Sequence, residues 1–147
     1  MATYYGFDGV ISAKSAPQTI DTNTPTTISF DINELDTGEL AEGGGYHSTT
    51  VDNKRFYARR SGFYIIGGAF RVTSTAPSLG LFGGYRINGV TPNLWFGSTM
   101  ALVIAYSSGI SIRKLNKGDY IEFVVTQEGG SAVTITPDNT KVFFKTL

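Results

Sequence analysis

The sequence predicts an all-β fold, a two-sheet antiparallel jelly-roll sandwich. Three observations carry this. No segment long enough for a stable helix shows helical periodicity. Short apolar or alternating runs are instead separated by Gly, Pro, Asn and Asp clusters along the whole chain. Gly, Thr, Ser and aromatic residues are abundant, with 18 Gly, 10 Phe and 8 Tyr in 147 residues, while long charged helix formers are scarce.

The elements follow in order. VISAKS (Val10 to Ser15) reads as a short first strand. TTISFDI (Thr26 to Ile32) alternates, which points Ile28, Phe30 and Ile32 inward and Thr27, Ser29 and Asp31 outward. ELDTGELAEGGGYHS is acidic and glycine-rich and reads as a long loop. KRFYARR is a strand with its basic side in water, leading through a turn at Ser61-Gly62 into RRSGFYIIGGAF. STAPSLG is a loop, and LFGGYRI is a strand closed by Asn88-Gly89, a favoured two-residue hairpin turn. NLWFG is short. MALVIAYSSGISIRKL is long and is expected to bend or bulge at Ser107-Ser108-Gly109. NKGD and EGGS are turns around the strand DYIEFVVTQ, and AVTIT and KVFFKTL close the series. Turn signals recurring about every ten residues suit a sandwich or jelly roll. The chain is long enough for one domain with its own core, taken as 10–147, behind a short N-terminal arm, 1–9.

Charge excludes several functions. Twelve basic and twelve acidic residues balance to zero. A nucleic-acid binder or a polybasic membrane-surface protein would show a basic excess. Zero net charge also removes one protection against self-association. The absence of cysteine rules out disulfides, thiolate metal sites and cysteine nucleophiles. The N-terminus has no basic patch followed by a long apolar run, so no signal peptide is expected, and no apolar run approaches a membrane span.

Catalytic chemistry finds little support. His47 is the single histidine, and in GGGYHSTT it reads as a solvated or hydrogen-bonded loop residue rather than a base or ligand. No Gly-x-Ser-x-Gly elbow occurs. Asp31, Glu34, Asp36, Glu39 and Glu42 offer oxygen ligands for a hard cation such as calcium, but without an EF-hand pattern. Their density reads as a solvated surface rather than as the carboxylate pair of a glycosidase. No cofactor or metal is expected. Trp95, in TPNLWFGS, is the candidate ligand contact, since exposed aromatic rings stack on sugars and anchor interfaces; the competing assignment is a core plug.

RRSGFYIIGGAF poses a question. Alternation places Phe63, Ile65 and Ala69 on one face and Tyr64, Ile66 and Phe70 on the other, and both faces are apolar. Met100 to Tyr106 and part of Lys141 to Leu147 share this character. One sheet is therefore doubly apolar, and the cover for its second face is expected from another subunit, the alternative being a long loop of the same chain. Glycines at 67 and 68 mark a bulge or a close backbone approach.

Five stretches together resemble the complement one-q globular head and tumour necrosis factor superfamily, nearest its small bacterial and phage versions. They are PTTISFD with its acidic glycine-rich loop; Gly62 and Tyr64 of the Gly-x-Tyr strand; YRING, with Arg86, Asn88 and Gly89; Leu115, Gly118 and Asp119 of LNKGDYIEF; and FFKTL ending at Leu147. The resemblance runs from about Val10 to Leu147. It implies a TNF-like jelly roll forming a homotrimer through the sheet that carries the Gly-x-Tyr strand. It places Phe63, Ile65, Tyr106 and Phe143 at the trimer interface and Tyr64, Ile66 and Phe70 in the core. Collagen-like repeats are absent. That fits a non-enzymatic phage virion protein assembled in the host cytoplasm, as a capsid decoration, head fibre or tail-associated protein. Tyr4, Tyr5 and Phe7 would dock the arm on other virion proteins. The alternative is an adhesion module that binds a host receptor or surface glycan. Neither nucleic acid nor membrane is an expected partner.

Overall fold

The structure, a computed structural model, describes residues 8–40, 45–73, 79–90, 92–100 and 104–147, with side chains except at 39, 40, 79 and 93–100. Tyr4, Tyr5 and Phe7 lie outside the described residues. Trp95 is described only as a backbone position.

Twelve strands are present among the described residues: β1 (Gly9–Ala13), β2 (Gln18–Ile20), β3 (Thr26–Thr27), β4 (Ile32–Asp36), β5 (Phe56–Tyr57), β6 (Gly62–Thr73), β7 (Leu79–Ile87), β8 (Asn93–Met100), β9 (Ile104–Leu115), β10 (Tyr120–Glu128), β11 (Val133–Ile135) and β12 (Lys141–Thr146). The first sheet runs β2-β11-β6-β12-β1-β4, with β9 also paired to β6; the second runs β3-β10-β7-β8, with β5 also paired to β10. All strand pairs are antiparallel. Because β9 follows β6 along its whole length, β12 and β11 share the other edge of β6 end to end. The Asn88-Gly89 hairpin forms as its sequence demands, both residues taking positive φ (50° and 74°).

The core lies between the sheets. Phe30, Phe56 and Phe123 meet edge to face at centroid distances of 5.2–5.9 Å, the arrangement their ring quadrupoles favour. Tyr64, Ile66 and Phe70 of β6 are fully buried in it. Tyr64 stacks flat on Phe144 of β12 at 4.7 Å.

Several expectations need correction. TTISFDI is not one strand: β3 ends at Thr27, Ile28 and Phe30 stay in the core, and Ile32 is 39% exposed. The segment crosses between sheets, since Ile28 N donates to Phe123 O while Ile32 pairs with Ala13 in the other sheet. Alternation carries no inward direction past such a crossing. The expected long acidic loop opens instead with β4 and a 3-10 turn, Thr37–Leu40. KRFYARR keeps only Phe56–Tyr57 as strand, because Ala58 N and O bond to Asp119 O and Gly118 N across a turn. No bulge forms at Ser107-Ser108-Gly109: β9 pairs with β6 without a register shift, Gly109 facing Gly68. Bulges occur at Ile11/Ser12 and Phe82/Gly84. β2, too short and too polar to stand out in sequence, was not anticipated.

Candidate functional site

The ladder registers sort side chains into two faces. Across the first sheet, Ile112 lies beside Ile65, Ile110 beside Gly67, Gly67 beside Phe143, and Phe143 beside Ile11. Residues opposite one another in a ladder point the same way. Phe63, Ile65, Ala69, Tyr106, Ile110, Ile112 and Phe143 therefore share the outer face, opposite the buried Tyr64, Ile66 and Phe70.

That face is open and carries a row of large apolar side chains, with Arg71, Lys114, Lys141 and Lys145 set among them by the same registers. Phe63 is 54% exposed, Tyr106 45%, Ile110 66% and Ile112 52%. Leu147, whose N–H donates to Phe63 O, continues the row and is also exposed. Five of the eight large exposed hydrophobics among the described residues thus lie on β6, on β9 and just past the end of β12, and a sixth, Ile32, lies on β4 of the same sheet. Ile65 and Phe143 are half-buried beneath them. Isolated exposed apolar residues need no explanation, but a contiguous patch does. Sequence reasoning placed Phe63, Ile65, Tyr106 and Phe143 and missed Ile110 and Ile112. The shared parity of Tyr106, Ile110 and Ile112 was the available signal, broken at Ser108 and obscured by the small residues between.

The two β6 glycines shape this face. A Cβ on Gly67 would meet the Phe143 ring, with Cε1 at only 2.8 Å. The tip of the ring lies over Gly67, in the space a side chain would fill. Gly67 therefore marks close approach rather than a bulge; the β6–β12 ladder runs unshifted from Tyr64 to Ala69. Beside the ring lies a shallow trough of about 610 Å³, floored by Gly68, Ala69, Ser108 and Gly109 and walled by Phe143, Ile110 and Lys141. Gly67→Ala should lift the Phe143 ring into the trough. Overpacking of this kind costs about 1–3 kcal/mol. Chemical denaturation will read it, and a wild-type midpoint would show that the ring can move freely.

Polar clusters elsewhere look structural. Glu122, buried on the outer face of β10, accepts from Arg86 Nε at 2.6 Å and Arg55 Nε at 3.3 Å. Arg55 also lies over the Tyr120 ring at 4.3 Å. Asp8 ties the ends of the domain together through Tyr46 Oη (2.6 Å), Arg60 Nη2 (2.7 Å) and Thr146 Oγ1 (3.1 Å). Burial and the Asp8 carboxylate push the Tyr46 phenol well above its ordinary value. Among the described residues no group of three or more metal-ligating side chains is assembled. The acidic segment is not simply a solvated surface: Asp36 is 8% exposed and accepts from the N–H groups of Gly38, Tyr46 and His47 at 3.0–3.1 Å. His47 is likewise buried, and it stacks on Phe56 at 4.3 Å. Burial pushes its imidazole below the ordinary value, against the pull of the Asn53 carbonyl and of Asp36 and Asp52.

These features define an antiparallel jelly roll with an open row of large apolar side chains on one outer sheet face. No protein-family model matches the sequence, and no curated protein matches it either. Solved structures do. Murine APRIL superposes with a TM-score of 0.61 at 13% identity, covering 96% of this chain and 99% of that one. The globular domain of zebrafish complement 1qA gives 0.59 at 12% identity, covering 95% and 97%. Eiger TNF from S. frugiperda gives 0.55 at 10%, covering 96% and 92%. The chain has the tumour necrosis factor/complement 1q-like jelly-roll fold over nearly its whole length. At these identities the likeness concerns the fold and leaves function to the site.

Proposed function

We propose that the chain is a non-enzymatic structural subunit that assembles as a homotrimer through the β6–β9–β12 face and serves in a bacteriophage virion, as a capsid decoration, head fibre or tail-associated protein. The observation behind the assembly is the open row of Phe63, Ile110, Ile112, Tyr106 and Leu147 on a single sheet. Apolar area withdrawn from water contributes about 25 cal/mol per Å² before the costs of association. A row of large side chains therefore gives each copy a strong drive to be covered. A cyclic trimer supplies two neighbours per subunit and closes on itself. The virion role rests on the resemblance of the five sequence stretches to small phage and bacterial members.

Two measurements test the two levels separately. Light scattering on the 15.8 kDa chain, with and without residues 1–9, should give three times the monomer mass in both cases. A monomer in both would remove the shared sheet. Peptide mass spectrometry of purified phage particles whose genome encodes the chain should find it in fixed stoichiometry. Its absence from the particles would remove the virion role and leave the trimer standing.

One observation favours a second role, host attachment through an anionic glycan. A cleft of about 380 Å³ between two turns is lined by Tyr57, Ala58, Arg59, Lys117 and Gly118. It sets an aromatic ring beside two cations, which suits a sugar ring carrying a carboxylate or sulfate. A glycan array with acidic and neutral members decides it: selective acidic hits support attachment, and none leaves the structural role.

A further inference from the structure

The chain's single histidine sits between two acceptors. His47 Nδ1 lies 2.7 Å from Asn33 Oδ1, and Nε2 lies 3.1 Å from the Asn53 carbonyl. The orientation of the Asn33 amide is set by its other contacts: its Nδ2 donates to the His47 carbonyl at 2.9 Å, and Ser12 Oγ donates to its Oδ1 at 2.8 Å. A backbone carbonyl only accepts. A neutral imidazole has one N–H and one lone pair, so it satisfies only one of these contacts and sets its lone pair against the other. An imidazolium satisfies both. Ser12 Oγ, 3.4 Å from Nδ1, is the other polar atom near that nitrogen.

The ring's surroundings are otherwise mostly uncharged. β1 presents Ser12, β5 presents Phe56, and the crossing segment presents Phe30. The charged groups acting on it are Asp36 of β4 and Asp52 of the 48–54 turn, the latter paired with Arg55 at 3.1 Å. The acceptors are themselves tied in. Asn53 O also receives the Phe30 N–H at 2.8 Å, and Asn33 holds the His47 backbone.

We propose that His47 is a proton-binding latch that fixes segment 45–55 to the sandwich: the arrangement described is its protonated form, and releasing the proton turns away either the Asn33 amide or the Asn53 carbonyl. Turning Asn33 breaks its bond to the His47 carbonyl. Moving Asn53 breaks the bond from Phe30 N. Either change loosens the segment where it crosses between β4 and β5.

The test uses the intact protein, in which one histidine gives one unambiguous signal. Nitrogen NMR of His47 from pH 8 to pH 4 should show a single titration, with protons on both ring nitrogens at its acid end. The Asn33 side-chain amide and the Phe30 backbone amide should shift with the same midpoint. Hydrogen exchange of segment 45–55, corrected for its intrinsic pH dependence, should slow on the acid side. Asn33→Asp sets a carboxylate against Nδ1 and should raise the midpoint by at least about one pH unit. A ring that stays neutral to pH 4 overturns the latch. So does a ring that titrates while the Asn33 and Phe30 signals stay still, an outcome read from the wild-type protein alone.

Discussion

Ile110→Asp is expected to turn the proposed trimer into folded 15.8 kDa monomers. Ile110 is 66% exposed on the free chain, so a carboxylate there is hydrated in the monomer and costs the fold little. In the assembly the same group would be taken out of water against a neighbour, with Lys141, across the trough and already paired with Glu34, as the nearest cation named on that face. Loss of a central apolar anchor costs about 2 kcal/mol or more, and burying an unpaired charge adds several more. The penalty recurs at each of three symmetry-related interfaces. Light scattering reads the mass, and circular dichroism checks that the monomer is folded. A folded trimer carrying Asp at 110 would move the interface to another surface. Ile65→Asp tests the same face less cleanly, because Ile65 is half-buried in the free chain and a charge there also strains the fold.

The second large effect lies under that face. Tyr64→Ala should destabilise the domain by about 3–5 kcal/mol, the range for deleting a buried aromatic ring. The ring is fully buried and stacks on Phe144 at 4.7 Å. Its hydroxyl also clasps the turn before β6, donating to Arg60 O at 2.8 Å and accepting from Arg60 N at 3.3 Å. Tyr64→Phe separates the two contributions. It keeps the ring and should cost about 1–2 kcal/mol for the hydrogen bonds alone. Equal losses in the two variants would mean that the clasp, not the stack, dominates.

Much of this was legible in the sequence. β6 is one unbroken strand, so parity sorted its residues into two sets while the family resemblance supplied which set faces inward, and Asn88-Gly89 declares a hairpin wherever it stands between strands. What escaped notice depends on distance along the chain. Ile110 and Ile112 stand among Ser and Gly residues that mimic a turn; only the pairing of β9 with β6 shows an unbroken strand. The burial of Asp36 and His47 arises from contacts across a glycine-rich segment, where no periodicity reports an inward direction. Ile32 follows a polarity pattern that holds only until the chain changes sheets.

The position of β12 has a consequence for how the protein is made. Residues 141–146 form a strand flanked by β1 on one side and β6 on the other. While the ribosome is still translating the middle of the chain, the partners on both sides of that gap already exist with nothing between them. Each exposes a row of unpaired backbone groups, and β6 also exposes apolar side chains. The growing polypeptide therefore carries two adhesive edges until nearly the last codon of the domain is read. Long-range pairing of this kind is slow and vulnerable to misassociation. On a polysome several such chains grow side by side, each with the same two edges open. Premature release before codon 141 would yield a product prone to aggregation, and slow synthesis through the β9–β11 region would prolong the exposure.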